Sequence, residues 1–85
     1  MTRDRFLALT LAERAKWLYF NGSLVTSIRY YRHKVNLYML DKVYVEVFYN
    51  HQQDRVDQIE LLDKNSKRMN FYADQVRLPS DLSLS

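Results

Sequence analysis

The sequence predicts an α+β fold: an N-terminal helix packed on a four-stranded antiparallel meander sheet, with a short C-terminal helix. Three observations predict this class. A helix start signal opens an apolar stripe over residues 10–22, apolar and polar residues alternate through 23–50, and a helical apolar pattern returns after residue 65. Short polar connections between the strands are typical of a meander. The 85-residue length fits one domain, 1–85, in which we expect 79–85 to be a frayed tail.

The N-terminal helical region is predicted in two pieces. Residues 3–9 form a short helical turn, and Thr10 and Glu13 then make a Thr-x-x-Glu capping box that starts the main helix. Asn21 and Gly22 end that helix. We expect Gly22 to adopt the left-handed conformation that glycine often takes after a helix.

Three strands are predicted within residues 23–50, with their apolar side chains on one shared face. A short loop at Arg32-His33 brings the first two apolar sets to the same side. The third set joins them only if the loop around Asp41-Lys42 has an odd length, so we predict such a loop. The shared face would then hold Leu24, Thr26, Ile28, Tyr30, Val35, Leu37, Met39, Val43, Val45, Val47 and Tyr49, and the helix beginning at Thr10 would cover it.

The segment 55–63 fits two kinds of secondary structure. Val56, Ile59 and Leu62 are three apart, as on a helix, but the polar stretch 50–54 resembles a hairpin loop, so we favour a fourth strand. Asn65 or Ser66 is a candidate cap for the last helix. Its inward residues are predicted to be Met69, Tyr72, Ala73 and Val76, and Arg77-Leu78-Pro79 would end it.

The second face of the predicted sheet is the candidate interaction face. It combines aromatic rings with two basic residues and one acid: Arg29, Tyr31, Lys34, Tyr38, Tyr44, Glu46 and Phe48. Each ring can bury about 150–250 Å², so even a half-covered set approaches the largest apolar patch of a typical monomer. We therefore expect a cover, which is either the C-terminal helix, a second copy of the chain, or nucleic-acid bases.

Catalysis and metal binding find no support in the sequence. The chain has no cysteine, which excludes disulfides, zinc–thiolate sites and thiol catalysis, and its single glycine excludes a glycine-rich phosphate loop. His33 and His51 fall in predicted loops, and the cations beside His33 oppose metal binding. For Glu46 we expect an ion pair with Arg29 or Lys34, or a tyrosine hydrogen bond. We therefore expect no enzyme, no metal and no cofactor.

Charge and hydropathy restrict the partners. The net charge is +3, and residues 1–50 carry eight basic against four acidic residues, while 51–85 carry five against six. This is weaker than the dense basic stripe of a dedicated nucleic-acid binder. No apolar run approaches the roughly 20 residues of a membrane span, so we expect a protein that does not enter a membrane. With no cysteine in the chain, the cytoplasm is the default compartment, and we expect a cytoplasmic protein.

The sequence leaves three hypotheses for function. The first is a non-catalytic protein-interaction module that self-associates as a homodimer, with Tyr38 and Tyr44 near its two-fold axis and Arg29 pairing with Glu46 across it. The second is a single-stranded nucleic-acid or RNA-binding protein, in which the rings stack on bases while Arg29, Arg32 and Lys34 meet phosphates. The third is an accessory or regulatory subunit of a larger complex.

One aromatic block does not fit a single core. Trp17-Leu18-Tyr19-Phe20 are successive residues at the end of the main helix, so their side chains point all round the cylinder. One or two of them must therefore leave the main core. We expect these to pack on the edge of the sheet or on a partner.

Overall fold

A computed structural model describes residues 2–75 and has the predicted order of elements. The elements are α1 (Arg3–Leu7), α2 (Leu11–Asn21), β1 (Ser23–Tyr30), β2 (His33–Leu40), β3 (Val43–Asn50), β4 (Arg55–Leu61) and α3 (Met69–Gln75). The four strands form one antiparallel meander in the order β1-β2-β3-β4, with α3 packing on the sheet, so the predicted fold class is confirmed. Among the described residues, no helix is long and apolar enough to cross a membrane.

The capping box of α2 forms as predicted. The Thr10 side chain accepts a hydrogen bond from the Glu13 backbone N–H (3.2 Å), and the Glu13 carboxylate accepts one from the Thr10 N–H (2.8 Å). Two backbone donors at the start of the helix are thereby satisfied. The fully buried ring of Phe6 in α1 and the side chain of Leu18 in α2 attach this helical layer to the sheet.

Gly22 ends α2 for a different reason from the one predicted. Its backbone is extended (φ −85°, ψ 154°), so the prediction of a left-handed conformation at Gly22 is wrong. The chain instead leaves the helix in close contact with the preceding turn: a Cβ atom on Gly22 would lie 2.8 Å from the Leu18 carbonyl oxygen. Glycine is required here because of this close approach.

The register of β3 differs from the prediction. Asp41 and Lys42 form a two-residue turn, with Leu40 paired to Val43 across it, so the predicted odd-length loop is wrong. Asp41 adopts the left-handed conformation (φ 55°), which aspartate tolerates better than most residues. In this register Val45 lies on the opposite face of the sheet from Val35 and Leu37.

The sheet is consequently the middle of three layers, with a core on each side. On the face covered by α1 and α2, here the α2 side, the buried residues are Phe6, Leu18, Leu40, Val45, Val47 and Ile59. On the face covered by α3, the α3 side, they are Ile28, Val35, Leu37, Phe48 and Tyr72. The prediction that α2 covers one face holding all the apolar sets is therefore wrong for Ile28, Val35 and Leu37, which pack against the α3 side.

The last two elements follow the favoured prediction. Residues 55–61 form a strand, and 51–54 form the turn before it. In α3, Tyr72 is buried and Met69 half-buried as predicted, but Ala73 is exposed. The Ser66 hydroxyl accepts a hydrogen bond from the Arg68 N–H just before the helix begins. The predictions for Val76, for the helix end at 77–79 and for the tail 79–85 lie outside the described residues.

Candidate functional site

The seven residues of the predicted interaction face do not share a face. Tyr44, Glu46 and Phe48 lie on the α3 side, opposite Met39, Leu37 and Val35 in the register of β2 and β3. Arg29, Lys34 and Tyr38 lie on the α2 side, where Arg29 pairs with Lys34 and Tyr38 with Val45. Tyr31 lies in the β1–β2 turn with φ 57°.

The α3 side encloses a charged cluster around Glu46, whose side chain has no exposed surface. Arg68 binds it through two hydrogen bonds, Nε to Oε2 at 2.7 Å and Nη2 to Oε1 at 2.8 Å. The Tyr72 hydroxyl donates a third, of 2.7 Å, to Oε2. An ion pair and a tyrosine bond were predicted for Glu46, but the partners are Arg68 and Tyr72 and not Arg29 or Lys34.

The environment of this cluster shifts the pKa of Tyr72 and of Arg68. Burial, and secondly the hydrogen bond to Glu46, raise the pKa of Tyr72 above its usual value. The hydrogen bonds to Glu46 raise the pKa of Arg68. The Arg68 guanidinium also lies 5.0 Å from the centre of the Phe48 ring, which a cation favours. Glu46 is thus a buried acidic side chain that accepts three hydrogen bonds and attaches Arg68 and α3 to the sheet.

A second polar cluster lies where β2, β3 and β4 meet. His33 is the first residue of β2, and its Nε2 lies 2.8 Å from Oδ2 of Asp57. Asn50 donates to the same oxygen (3.2 Å), and Arg55 Nε donates to Oδ1 (2.9 Å). The hydrogen bonds from His33 and Arg55 lower the pKa of Asp57 to about 2. Sequence reasoning missed this pair, because His33 and Asp57 are 24 positions apart and share no motif.

Exposed aromatic side chains gather at the end of α2. Tyr19 is 82% exposed and Phe20 70%, and their rings meet edge to face with centres 5.1 Å apart. Trp17 and Phe20 line one groove, and Tyr19 and the half-buried Tyr38 line the next. We call Trp17, Tyr19 and Phe20 the α2 aromatic patch. All three belong to the block that the sequence singled out.

A basic surface occupies another part of the α2 side. Arg29 of β1, Lys34 of β2 and Tyr49 of β3 are neighbours in one row across three strands. His51 follows β3, and its ring meets that of Tyr49 edge to face with centres 4.9 Å apart. We call Arg29, Lys34, Tyr49 and His51 the basic sheet patch. The sequence predicted that Arg29 and Lys34 share a face, but it did not predict that Tyr49 and His51 are the rings beside them.

Within residues 2–75, no group of three or more histidine, aspartate or glutamate side chains could hold a metal ion. Comparison of the chain with protein-family models, with curated proteins and with solved structures gives no significant match.

Proposed function

We propose that this protein is a non-catalytic interaction module that self-associates through the α2 aromatic patch. The observation that carries the proposal is the contact between Tyr19 and Phe20, two rings that touch each other while most of their surface faces solvent. Exposing a cluster of aromatic rings to water is energetically unfavourable, and such clusters are enriched at protein interfaces.

The size of the patch supports an interface. With about 200 Å² per aromatic side chain, Trp17, Tyr19 and Phe20 leave on the order of 400 Å² exposed. A stable dimer buries roughly 800 Å² on each partner, which is about an eighth of the 6070 Å² surface of this chain. The patch would supply the apolar centre of such an interface. The neighbouring residues Glu13, Lys16 and Asn21 would supply part of its polar rim.

A second copy of the chain is the partner that fits this helix. Leu18 is the one buried side chain of α2, and the rings of Tyr19 and Phe20 at the end of the helix are left largely exposed. A two-fold dimer pairs the same patch on both copies. Glu13 and Lys16 on the rim provide both signs of charge, so such pairing does not force like charges together.

This proposal places the dimer interface elsewhere than the sequence suggested. Tyr38 and Tyr44 lie on opposite faces of the sheet, so they cannot share the centre of one interface. Arg29 cannot pair with Glu46 of another copy, because Glu46 is buried under α3 and bound by Arg68. The Trp17–Phe20 block takes their place.

Light scattering coupled to size exclusion tests the proposal. At about 100 µM we expect a mass of twice the 10.3 kDa chain. Phe20→Lys should shift the mass to that of the monomer, because it places a charge in the apolar centre. Lysine is tolerated in the last turn of a helix, so the fold should survive. Tyr31→Lys is the matched control: it also replaces a largely exposed ring by lysine, but outside the patch, and should leave the dimer intact.

Two results would overturn self-association through this patch. One is a 10.3 kDa mass at several hundred micromolar protein, which would favour a different protein as partner and hence the accessory-subunit hypothesis. The other is a dimer that Phe20→Lys and Tyr31→Lys affect equally. For a true dimer, the unfolding midpoint should also rise with protein concentration, and this rise should vanish in Phe20→Lys.

A further inference from the structure

The two cations of the basic sheet patch differ from three other arginines of the described residues, which pair with acids. Arg14, Arg55 and Arg68 each form an ion pair, with Glu60, Asp57 and Glu46 respectively. Arg29 and Lys34 are exposed and form no ion pair within residues 2–75. They are nevertheless direct neighbours on adjacent strands, which lie about 4.8 Å apart. Two adjacent like charges repel each other, and an anion held between them would relieve that repulsion.

Aromatic rings continue the same row of the sheet. Tyr49 is the neighbour of Lys34 on the next strand, and its hydroxyl group donates a hydrogen bond to Asp54, which fixes the ring. His51 packs against the Tyr49 ring, and it also lines a groove with Arg29 and Lys34. Two adjacent cations are thus followed along the row by two adjacent rings.

We propose that the basic sheet patch binds single-stranded nucleic acid. A phosphate would sit at Arg29 and Lys34, and the adjoining base would stack on Tyr49 and His51. Single strands offer phosphates and unpaired base faces side by side, which this row of cations and rings matches. This inference does not depend on self-association, because the α2 aromatic patch involves none of these four residues.

An anionic membrane is the less favoured partner. A membrane-binding surface combines basic residues with apolar side chains that insert between the lipids. Here the exposed Trp17 and Phe20 belong to the other patch, and the rings of the basic sheet patch carry polar atoms. Its neighbouring row is also polar, because the Ser27 hydroxyl donates a 2.6 Å hydrogen bond to Asn36 across β1 and β2.

Fluorescence anisotropy with a labelled twelve-nucleotide oligothymidylate tests the proposal. We expect a Kd of tens of micromolar at 50 mM salt that weakens as salt rises, with a slope of roughly 0.7 per contacted phosphate. The double variant Arg29→Gln/Lys34→Gln should weaken binding at least tenfold and, because one phosphate contact is lost, reduce that slope by about 0.7. Lys42→Gln is the control, because it removes the same kind of charge in the β2–β3 turn, at the other end of the strands.

The ring contribution is tested separately at Tyr49. Tyr49→Leu should weaken binding about fivefold or more, while Tyr49→Phe, which keeps the ring and loses the bond to Asp54, should bind as the wild type does. Circular dichroism checks that each variant is folded.

Three outcomes would overturn the proposal. The first is no binding by the wild type at 100 µM protein and 50 mM salt. The second is equal binding to a duplex of the same length, whose bases are not free to stack. The third is that Arg29→Gln/Lys34→Gln loses affinity for phosphatidylserine vesicles and keeps its affinity for the oligonucleotide. That result would assign the patch to a membrane surface.

Discussion

The hydroxyl group of Tyr72 donates a 2.7 Å hydrogen bond to Oε2 of Glu46, and neither side chain has any exposed surface. Tyr72 belongs to α3, a helix of seven residues, which is too short to persist on its own in water. Its position on the sheet therefore depends on what it contacts there. A buried carboxylate that accepts three hydrogen bonds is a directional anchor, whereas the surrounding apolar contacts would tolerate sliding.

Removing the Tyr72 hydroxyl group should measurably destabilise the protein. Tyr72→Phe keeps the ring in the core but leaves Oε2 of Glu46 with one donor fewer, and hydrogen bonds to charged groups contribute about 1.5–3 kcal/mol. Urea unfolding should show a loss in that range. Tyr31→Phe, at an 83% exposed ring, is the control and should change stability by less than about 0.5 kcal/mol. Similar losses in both variants would contradict the anchoring role.

Removing Arg68 alone should lower the free energy of unfolding more than removing both charges of its ion pair with Glu46. Arg68→Met leaves the Glu46 carboxylate buried without its cation, for which we expect a loss of about 3–5 kcal/mol. In the double variant Glu46→Gln/Arg68→Met the charge is gone while the amide oxygen still accepts from Tyr72, so part of the loss should be recovered. A double variant less stable than Arg68→Met alone would contradict this account of the cluster.

Local signals in the sequence predicted most of the architecture. The Thr10–Glu13 capping box depends on residues three apart and formed as expected. The polar stretch at 50–54 predicts a fourth strand and not a helix after it, and the structure confirms this strand. Each of these features is decided by neighbours in the chain, which a single sequence shows.

The face assignment failed because β3 is apolar on both sides. Val45 and Val47 alternate with Tyr44 and Phe48, so either face of this central strand can be buried and the alternation does not choose between them. A loop one residue longer or shorter then reverses the assignment. The composition of the predicted interaction face depended on that choice. The partners of Glu46 lie 22 and 26 positions away in the chain, beyond any local pattern.

Acid should weaken the fold partly through Asp57. Its hydrogen bonds with His33 and Arg55 lower its pKa to about 2 in the folded protein, against an ordinary value of 3.8. A carboxyl whose folded pKa is depressed contributes stability fully at pH values above its unfolded pKa and loses it as pH falls through the folded one. Between about pH 4 and pH 2, wild-type urea midpoints should therefore fall more steeply than those of Asp57→Asn.

The matched control for this acid effect is Asp4→Asn, which removes an exposed carboxylate at the start of α1. Its urea midpoints should follow the wild-type pH dependence more closely than those of Asp57→Asn do. If Asp57→Asn has the same slope as the wild type between pH 4 and pH 2, the contacts with His33 and Arg55 do not favour the charged carboxylate in solution.

Gly22→Ala should destabilise the protein, against the usual direction of this substitution. Where the backbone has a negative φ, replacing glycine by alanine ordinarily stabilises by about 0.4–1 kcal/mol, because the unfolded chain loses freedom. Gly22 has φ −85°, but an added Cβ atom would lie 2.8 Å from the Leu18 carbonyl oxygen, a backbone atom that cannot rotate away. We expect a net loss of about 1–3 kcal/mol in urea unfolding. Ser23→Ala, at the next and exposed position, should change stability by less than about 0.5 kcal/mol. A stabilised Gly22→Ala would show that the chain leaves α2 with more room than this close approach allows.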